Sequence, residues 1–433
     1  MKELLLILLC FPMLFSCGDT DNLQREMTYI PDDNFEQKLI DLDYDDVLDD
    51  SVLTSKVKLI KTLNLSSSDI SNLIGISDFI ELRQLDCSDN NITELDMQAN
   101  IALIELNCNQ NKLTHLNVIS NIFLKELSFH SNYLKNIDLG LNSSLKKLNC
   151  RYNKLEVLNI SKCVDLEILQ CAANSIDNLD VSKNLILTEL KCNSNSIRSL
   201  DLSNNKSLVT LICRNNNLSS LDVSNNPVLT SLDFYSNKLI KLDVSKNTVL
   251  NDLDCSWNHI KSLDLRKNLL LKELKCSSNP LFNLDVSHNS LLVDLSCCIN
   301  ELSSLNITNN IKLESLSCNV NKIRNLNLTY NILLKSLSCN VNQLKGLDLS
   351  ENIYLENLNC WANHLSSLDL SQNINLNRLS CDNNNISFLN LKSNILLSDL
   401  TCKGNLITSL DLSKNKAIDK DALEVEAGVN VRY

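Results

Sequence analysis

The sequence predicts a repeat solenoid, mostly β, with two short parallel strands per 21-residue coil and little helix. Three observations predict it. A 21-residue pattern recurs from leading Leu82 through Leu103 and Leu124 to Leu397, sixteen repeats without an insertion, and a fixed period of this size marks stacked units. Apolar residues alternate with polar ones in two short bursts per repeat, the period of a strand with one side inward. Two asparagine columns punctuate the pattern. Eight residues after each leader stands Asn, from Asn90 to Asn405, and ten residues later stands another, with Cys163 the one exception.

The chain has 433 residues. A solenoid grows in one dimension and remains one unit, so this length does not imply several globular domains. Apolar residues make up 44% and aromatics only 4%, so the core must be filled by Leu, Ile, Val and Cys. The formal net charge of −12 argues against nucleic-acid binding, which needs a basic face.

Residues 1–16 form a signal peptide. The apolar run from Leu4 to Phe15 is too short to span a bilayer and suits a signal core. Leu14-Phe15-Ser16-Cys17 resembles a bacterial lipobox, which implies lipidation of Cys17 and a membrane anchor; an ordinary secretory signal is the alternative. Residues 17–28 read as a lipidated tether. Residues 29–59 read as a helical N-terminal cap: Asp32 to Asp43 looks helical, Asp33 and Glu36 have capping-box spacing, and Phe35, Leu39 and Leu42 share a face. The following Asp41, Asp43 and Asp45 mimic the start of a calcium loop. Asp46 and Val52 occupy the places that need Gly and Glu, which favours a solvated acidic turn.

Residues 60–415 form the solenoid. A 22-residue coil, Ile60 to Glu81, precedes Leu82, so the total is about 17 coils. Leu103 to Phe123 shows the unit: Leu103, Leu106, Cys108 and Asn111, then Leu113, Leu116, Val118 and Asn121. A strand in each half predicts two sheets and a straight or twisted rod roughly 80 Å long at ~4.8 Å per coil. Residues 416–433 read as a C-terminal cap.

Fourteen of the 18 cysteines lie five residues after a leader, and Phe129 and Phe234 fill that slot in the two other repeats. A column that accepts Phe is a core column, so these cysteines read as small buried hydrophobes. Inter-coil disulfides would need Cβ atoms ~3.8 Å apart, and a metal site would need ligands that the column lacks. The asparagines, represented by Asn111, Asn121, Asn216 and Asn226, turn the corners, where backbone groups leave the ladder and must be paired.

These residues resemble the leucine-rich repeat superfamily. The nested pattern LxxLxCxxNxLxxLDLxxNxx resembles the bacterial IRREKO type, and residues 29–54, followed by 70–79, resemble the N-terminal cap of secreted leucine-rich repeat proteins in Bacteroidetes. The resemblance implies a protein- or glycan-binding surface without catalysis, on an exported lipoprotein at the outer membrane or cell surface. No cofactor or metal site is expected. The five histidines are scattered and form no nucleophile–base arrangement.

A ligand must be read by outward residues. One group is His130, Arg151, Tyr152, Arg214, Tyr235 and Trp257, of hot-spot composition. A second is Cys298, Ile299, Val320, Val341, Trp361 and Ala362, an apolar patch. Drift on a permissive surface, with the chain a passive spacer of the cell envelope, is the other reading. On the second half, Asp180, Asp201, Asp222, Asp243, Asp264 and Asp285 stand on consecutive coils. Hydroxyls and lysines such as Lys183 and Lys246, or bound cations, must offset their repulsion.

Overall fold

Leu85 pairs with Leu106, its counterpart 21 residues on, and Leu106 with Leu127, in parallel register. This computed structural model describes residues 26–419 and 423–433; residues 1–16, expected to be a signal peptide, and Cys17 lie outside the described residues. Seventeen three-residue strands, from Thr62–Asn64 to Asp399–Thr401, build one continuous parallel ladder with a single strand per coil. The first step of the ladder, Thr62 to Gln84, spans 22 residues, as the coil count predicts.

The second half of the coil departs from the two-strand expectation. Its ladder forms at the rod's ends, where Glu94–Asp96 pairs His115–Asn117 and Ser409–Asp411 pairs Asn430–Arg432, with one bridge between at Asp285 and Asn306. Side chains hold the ends of the segment along the rod, in the paired strands as in the unpaired ones. At the start of the segment an asparagine from the next coil takes the N–H, as Asn132 Oδ1 takes that of Leu113 at 2.9 Å. At its end an Asp or Asn takes the N–H two residues on, as Asp243 takes that of Ser245 at 2.9 Å. These bonds secure the segment in the coils where no ladder forms.

The core is one continuous column of leucine, isoleucine, valine and cysteine. In one coil Leu250, Leu253, Cys255, Ile260, Leu263 and Leu265 are all buried. The fourteen column cysteines are free thiols at 3% exposure or less, and Phe129 and Phe234 are buried in the same slot. Burial pushes the Cys150 and Cys192 thiols up to about 12, far from the thiolate that reactivity needs.

The N-terminal end is closed by a small cap. Strand β1 (Met27–Tyr29) runs antiparallel to β2 (Ser51–Leu53), with helix α1 (Asp33–Asp41) between them. Met27 and Thr28 therefore belong to the cap rather than to a tether, and Thr28 is buried. The helix is capped by Asp32, whose Oδ1 accepts from Phe35 N at 3.0 Å. The Asp33–Glu36 capping box does not form. Glu36 turns inward and accepts from the amides of Asp49, Asp50 and Ser51 at 3.0, 3.0 and 2.9 Å, so it organises the acidic turn from within. Phe35 stacks on Phe79 of the first coil at 6.1 Å, while Leu42 is exposed. A four-residue helix, α2 (Thr54–Val57), leads into the ladder. Gly75 sits at φ 96°, and a Cβ there would meet Tyr29 O at 2.5 Å, so the close approach of cap to coil requires glycine.

The opposite end continues the repeat. Glu424 bridges Thr401, the Glu424 carbonyl accepts from Cys402 N at 2.9 Å, and Asn430–Arg432 covers the last second-half strand. The C-terminal segment thus covers the edge that an open ladder would leave exposed.

Candidate binding surface

Outward residues of the long ladder form three shallow troughs. The middle one, about 280 Å³, is lined by Arg214, Asp233, Asp252, Asp254, Glu273 and Lys275, among others. Burial holds the carboxyls of Asp233 and Asp252 above the usual carboxylate range. Arg214, ion-paired to Asp233, pulls Asp233 the other way, whereas Glu273 adds to the rise at Asp252. On the rim beside it, Tyr235 and Trp257 lie 6.4 Å apart, tilted by 52°. Trp257 is 56% exposed.

The first predicted group therefore divides. Arg214, Tyr235 and Trp257 come from three successive coils and share one rim. His130, Arg151 and Tyr152 come from two coils further back, separated from them by Ala172 and Asn193. There the His130 ring contacts Ser131 Oγ at 3.1 Å, and its pKa is lowered by burial and by the charge of Arg151. Arg151 Nε donates to Asn149 Oδ1 at 3.1 Å, and Tyr152 is exposed. The acidic lining of the middle trough was missed from sequence. Its signal was present in the successive strands SLD and DLD (231–233 and 252–254), flanked by Arg214 and Lys275.

The second group gains a backbone explanation. The seventh residue after each leader is left-handed in every repeat from Asp89 to Gly404, with φ near 50–66°. Other coils place Asp89, Asn215, Asn383 or Gly404 there, residues suited to that region. Ile299, Val320 and Val341 are β-branched and hold φ of 51°, 55° and 55°, at a cost of ~1–2 kcal/mol each. Ile299 and Val320 are also solvent-facing, at 49% and 38%, so burial does not repay the strain there, and Val341 is half-buried. Trp361 is half-buried beside them. Replacing Val320 with Asn should raise stability by about 1 kcal/mol, read as a higher thermal unfolding midpoint; an unchanged or lower midpoint would remove the strain argument.

The aspartate ladder has a local cause. Asp180, Asp201, Asp222 and Asp243 each accept the backbone N–H two residues on, at 2.8 to 2.9 Å, and this bond, ahead of the serine hydroxyl, lowers their pKa. Asn306 and Asn327 make the same bond to Thr308 and Thr329, which is why Asn and Asp interchange in this column. The expected hydroxyls and lysines contribute, Ser182 and Lys183 at Asp180 and Ser245 and Lys246 at Asp243, but the backbone donor comes first. At Asp264 the Arg266 guanidinium contributes more and brings the carboxyl to about 2. Among the described residues no group of three or more His, Cys, Asp or Glu is placed to hold a metal ion.

A single-ladder rod with 21-residue register, a buried cysteine column and asparagine corners defines a leucine-rich repeat protein. The chain belongs to the leucine-rich repeat family. It is similar to the functional domain of InlJ from Listeria monocytogenes, which includes a cysteine ladder: 31% identity over 89% of this chain and 82% of that one, TM-score 0.75. A leucine-rich repeat protein of Leptospira interrogans is 26% identical over 82% and 92%, TM-score 0.67. YopM from Yersinia enterocolitica shares the fold at 22% identity over 87% and 91%, TM-score 0.60. No protein-family model and no curated protein matches the sequence.

Proposed function

We propose that this chain is a non-catalytic protein-interaction module that reads its partner with the outer face of the ladder, centred on Arg214, Tyr235 and Trp257. The observation that carries this is the tilted pair of half-buried Tyr235 and exposed Trp257 on the rim of an acidic trough. Aromatic and arginine anchors carry most of the energy in interfaces, and the acidic lining selects a partner that presents basic groups. A glycan stacked on the two rings is the second reading, favoured by the same aromatic pair. The solved plant receptor RGFR1 in complex with RGF2 shares the fold, at 21% identity and TM-score 0.74.

The proposal extends to location. The signal core before Cys17 and the likeness of residues 29–54 and 70–79 to Bacteroidetes caps support an exported lipoprotein of the nested 21-residue type, held at the outer membrane or cell surface through an acylated Cys17. More than one acyl chain is what stable anchoring requires. Replacing Cys17 with Ser should move the protein from the membrane fraction to the soluble one; retention in the membrane would end the anchor.

The binding test uses immobilised protein against panels of defined extracellular proteins and glycans. The Tyr235→Ala, Trp257→Ala double variant should keep the wild-type unfolding midpoint and lose at least about 2 kcal/mol of affinity for any captured partner. Capture unchanged by that variant would move the site elsewhere, and no capture from either panel would favour the passive spacer.

A further inference from the structure

Five successive coils place an isoleucine directly after the second-corner asparagine: Ile311, Ile332, Ile353, Ile374 and Ile395. All are exposed, between 45% and 58%. Leu333, Tyr354 and Leu396, one residue further on, are exposed at 38%, 49% and 51%. Coils stacked ~4.8 Å apart make this a ridge roughly 20 Å long, on an edge distinct from the ladder face that carries Tyr235 and Trp257. The fold does not require it. Ser143, Lys206, Thr248 and Ser290 occupy the same position in other coils, and Ile101, Ile122, Val164, Leu185 and Leu269 stand there singly or in pairs, so the unbroken run over five coils is particular to Ile311 to Ile395. A contiguous exposed apolar patch on a soluble surface marks a contact.

We propose that the ridge is a self-association surface and that its occupant is a second copy of this chain, joined about a two-fold axis near Ile353. Size and charge point to this occupant. Half-exposed aliphatic side chains leave on the order of 50 Å² each, so the eight together present roughly 400 Å² of apolar surface per copy. An interface about 60% apolar then reaches roughly 700 Å² per partner, close to the size of a stable dimer contact. The flanks carry both signs. Lys335 pairs with Glu314 at 2.7 Å on one side, while Glu351 and Lys392 lie on the other. Self-complementary flanks let the same patch meet itself across a two-fold axis. An anionic bilayer is a poor occupant for a chain of net charge −12, and a periodic ridge matches its own period in an antiparallel copy.

The test is sedimentation equilibrium of the purified full chain up to about 100 μM, a range that reveals micromolar dimers. Wild type should sediment as a dimer. The Ile353→Lys, Ile374→Lys variant should weaken dimerisation at least about 100-fold with an unchanged unfolding midpoint, because Lys206 and Lys416 already stand at that position. The Tyr235→Ala, Trp257→Ala variant should remain dimeric, which separates this surface from the partner-binding face. A monomeric wild type overturns the proposal, as does a lysine variant that dimerises equally well. Flotation of a monomer with phosphatidylcholine vesicles would assign the ridge to lipid and overturn it too.

Discussion

Replacing Asn216 with Asp should cost at least about 4 kcal/mol of stability. Asn216 is buried and uses its whole amide. Its Nδ2 donates to the carbonyls of Cys192, Arg214 and Cys213 at 3.0, 3.1 and 3.2 Å, and its Oδ1 accepts from Ile197 N at 3.0 Å. Each bond contributes ~1 kcal/mol net, and each buried group left unpaired costs ~1–3 kcal/mol. Aspartate keeps the acceptor but turns a carboxylate toward three carbonyl oxygens. Asn216→Ala should cost about 3–4 kcal/mol for the same four bonds.

The second corner is built differently and should be more forgiving. Asn226 donates to Leu202 O at 3.2 Å and Asn205 O at 2.8 Å, while its Oδ1 is buried without a partner. Only the donors matter there, so Asn226→Ala should cost about 2 kcal/mol. Cys163, the one departure from asparagine in this column, fits the rule: a thiol can donate, and its Sγ lies 4.0 Å from Leu139 O, the equivalent acceptor. Chemical unfolding followed by circular dichroism checks the order. Equal midpoints for Asn216→Asp and Asn226→Ala would refute the distinction between the two corners.

The second large effect is expected at Glu36. Its carboxylate closes the loop from α1 to β2 by accepting three consecutive amides, and bonds to a charged acceptor contribute ~1.5–3 kcal/mol each. The three are not additive, because one loop conformation serves all of them. Glu36→Ala should therefore cost about 3–5 kcal/mol, concentrated in the cap. Solenoid repeats touch only their neighbours, so the damage should stay local: hydrogen exchange of amides 27–57 should accelerate sharply while the central coils keep their protection. Glu36→Gln, with one acceptor oxygen left, should fall between. Unaltered exchange in the cap of Glu36→Ala would show that Phe35–Phe79 packing alone holds it.

The internal columns were legible because the repeat over-determines them. Leu250, Cys255 and Ile260 are inward by alternation, and each is reinforced by an apolar residue one coil above and below: Leu229 and Leu271, Phe234 and Cys276, Leu239 and Leu281. The asparagine corners were legible for the same reason, though not the asymmetry between a corner that uses both ends of its amide and one that uses only the donor. The cap was half-legible. Phe35 and Leu39 announced a buried helix face, yet the partners of Glu36 lie 13 to 15 residues away, and only loop closure brings them together.

What the sequence by itself determined is the class of fold, the coil count and the inward-facing set, since stacking at a fixed period allows one solution for residues that must pack. Tertiary structure alone decided that the second half is held by side-chain corners rather than by a second continuous sheet. It also decided that Tyr235 and Trp257 meet beside an acidic trough, that three β-branched residues sit in left-handed backbone, and that five isoleucines form one exposed ridge. Those features involve outward groups, which close packing does not constrain, and their arrangement depends on which neighbours stacking places beside them.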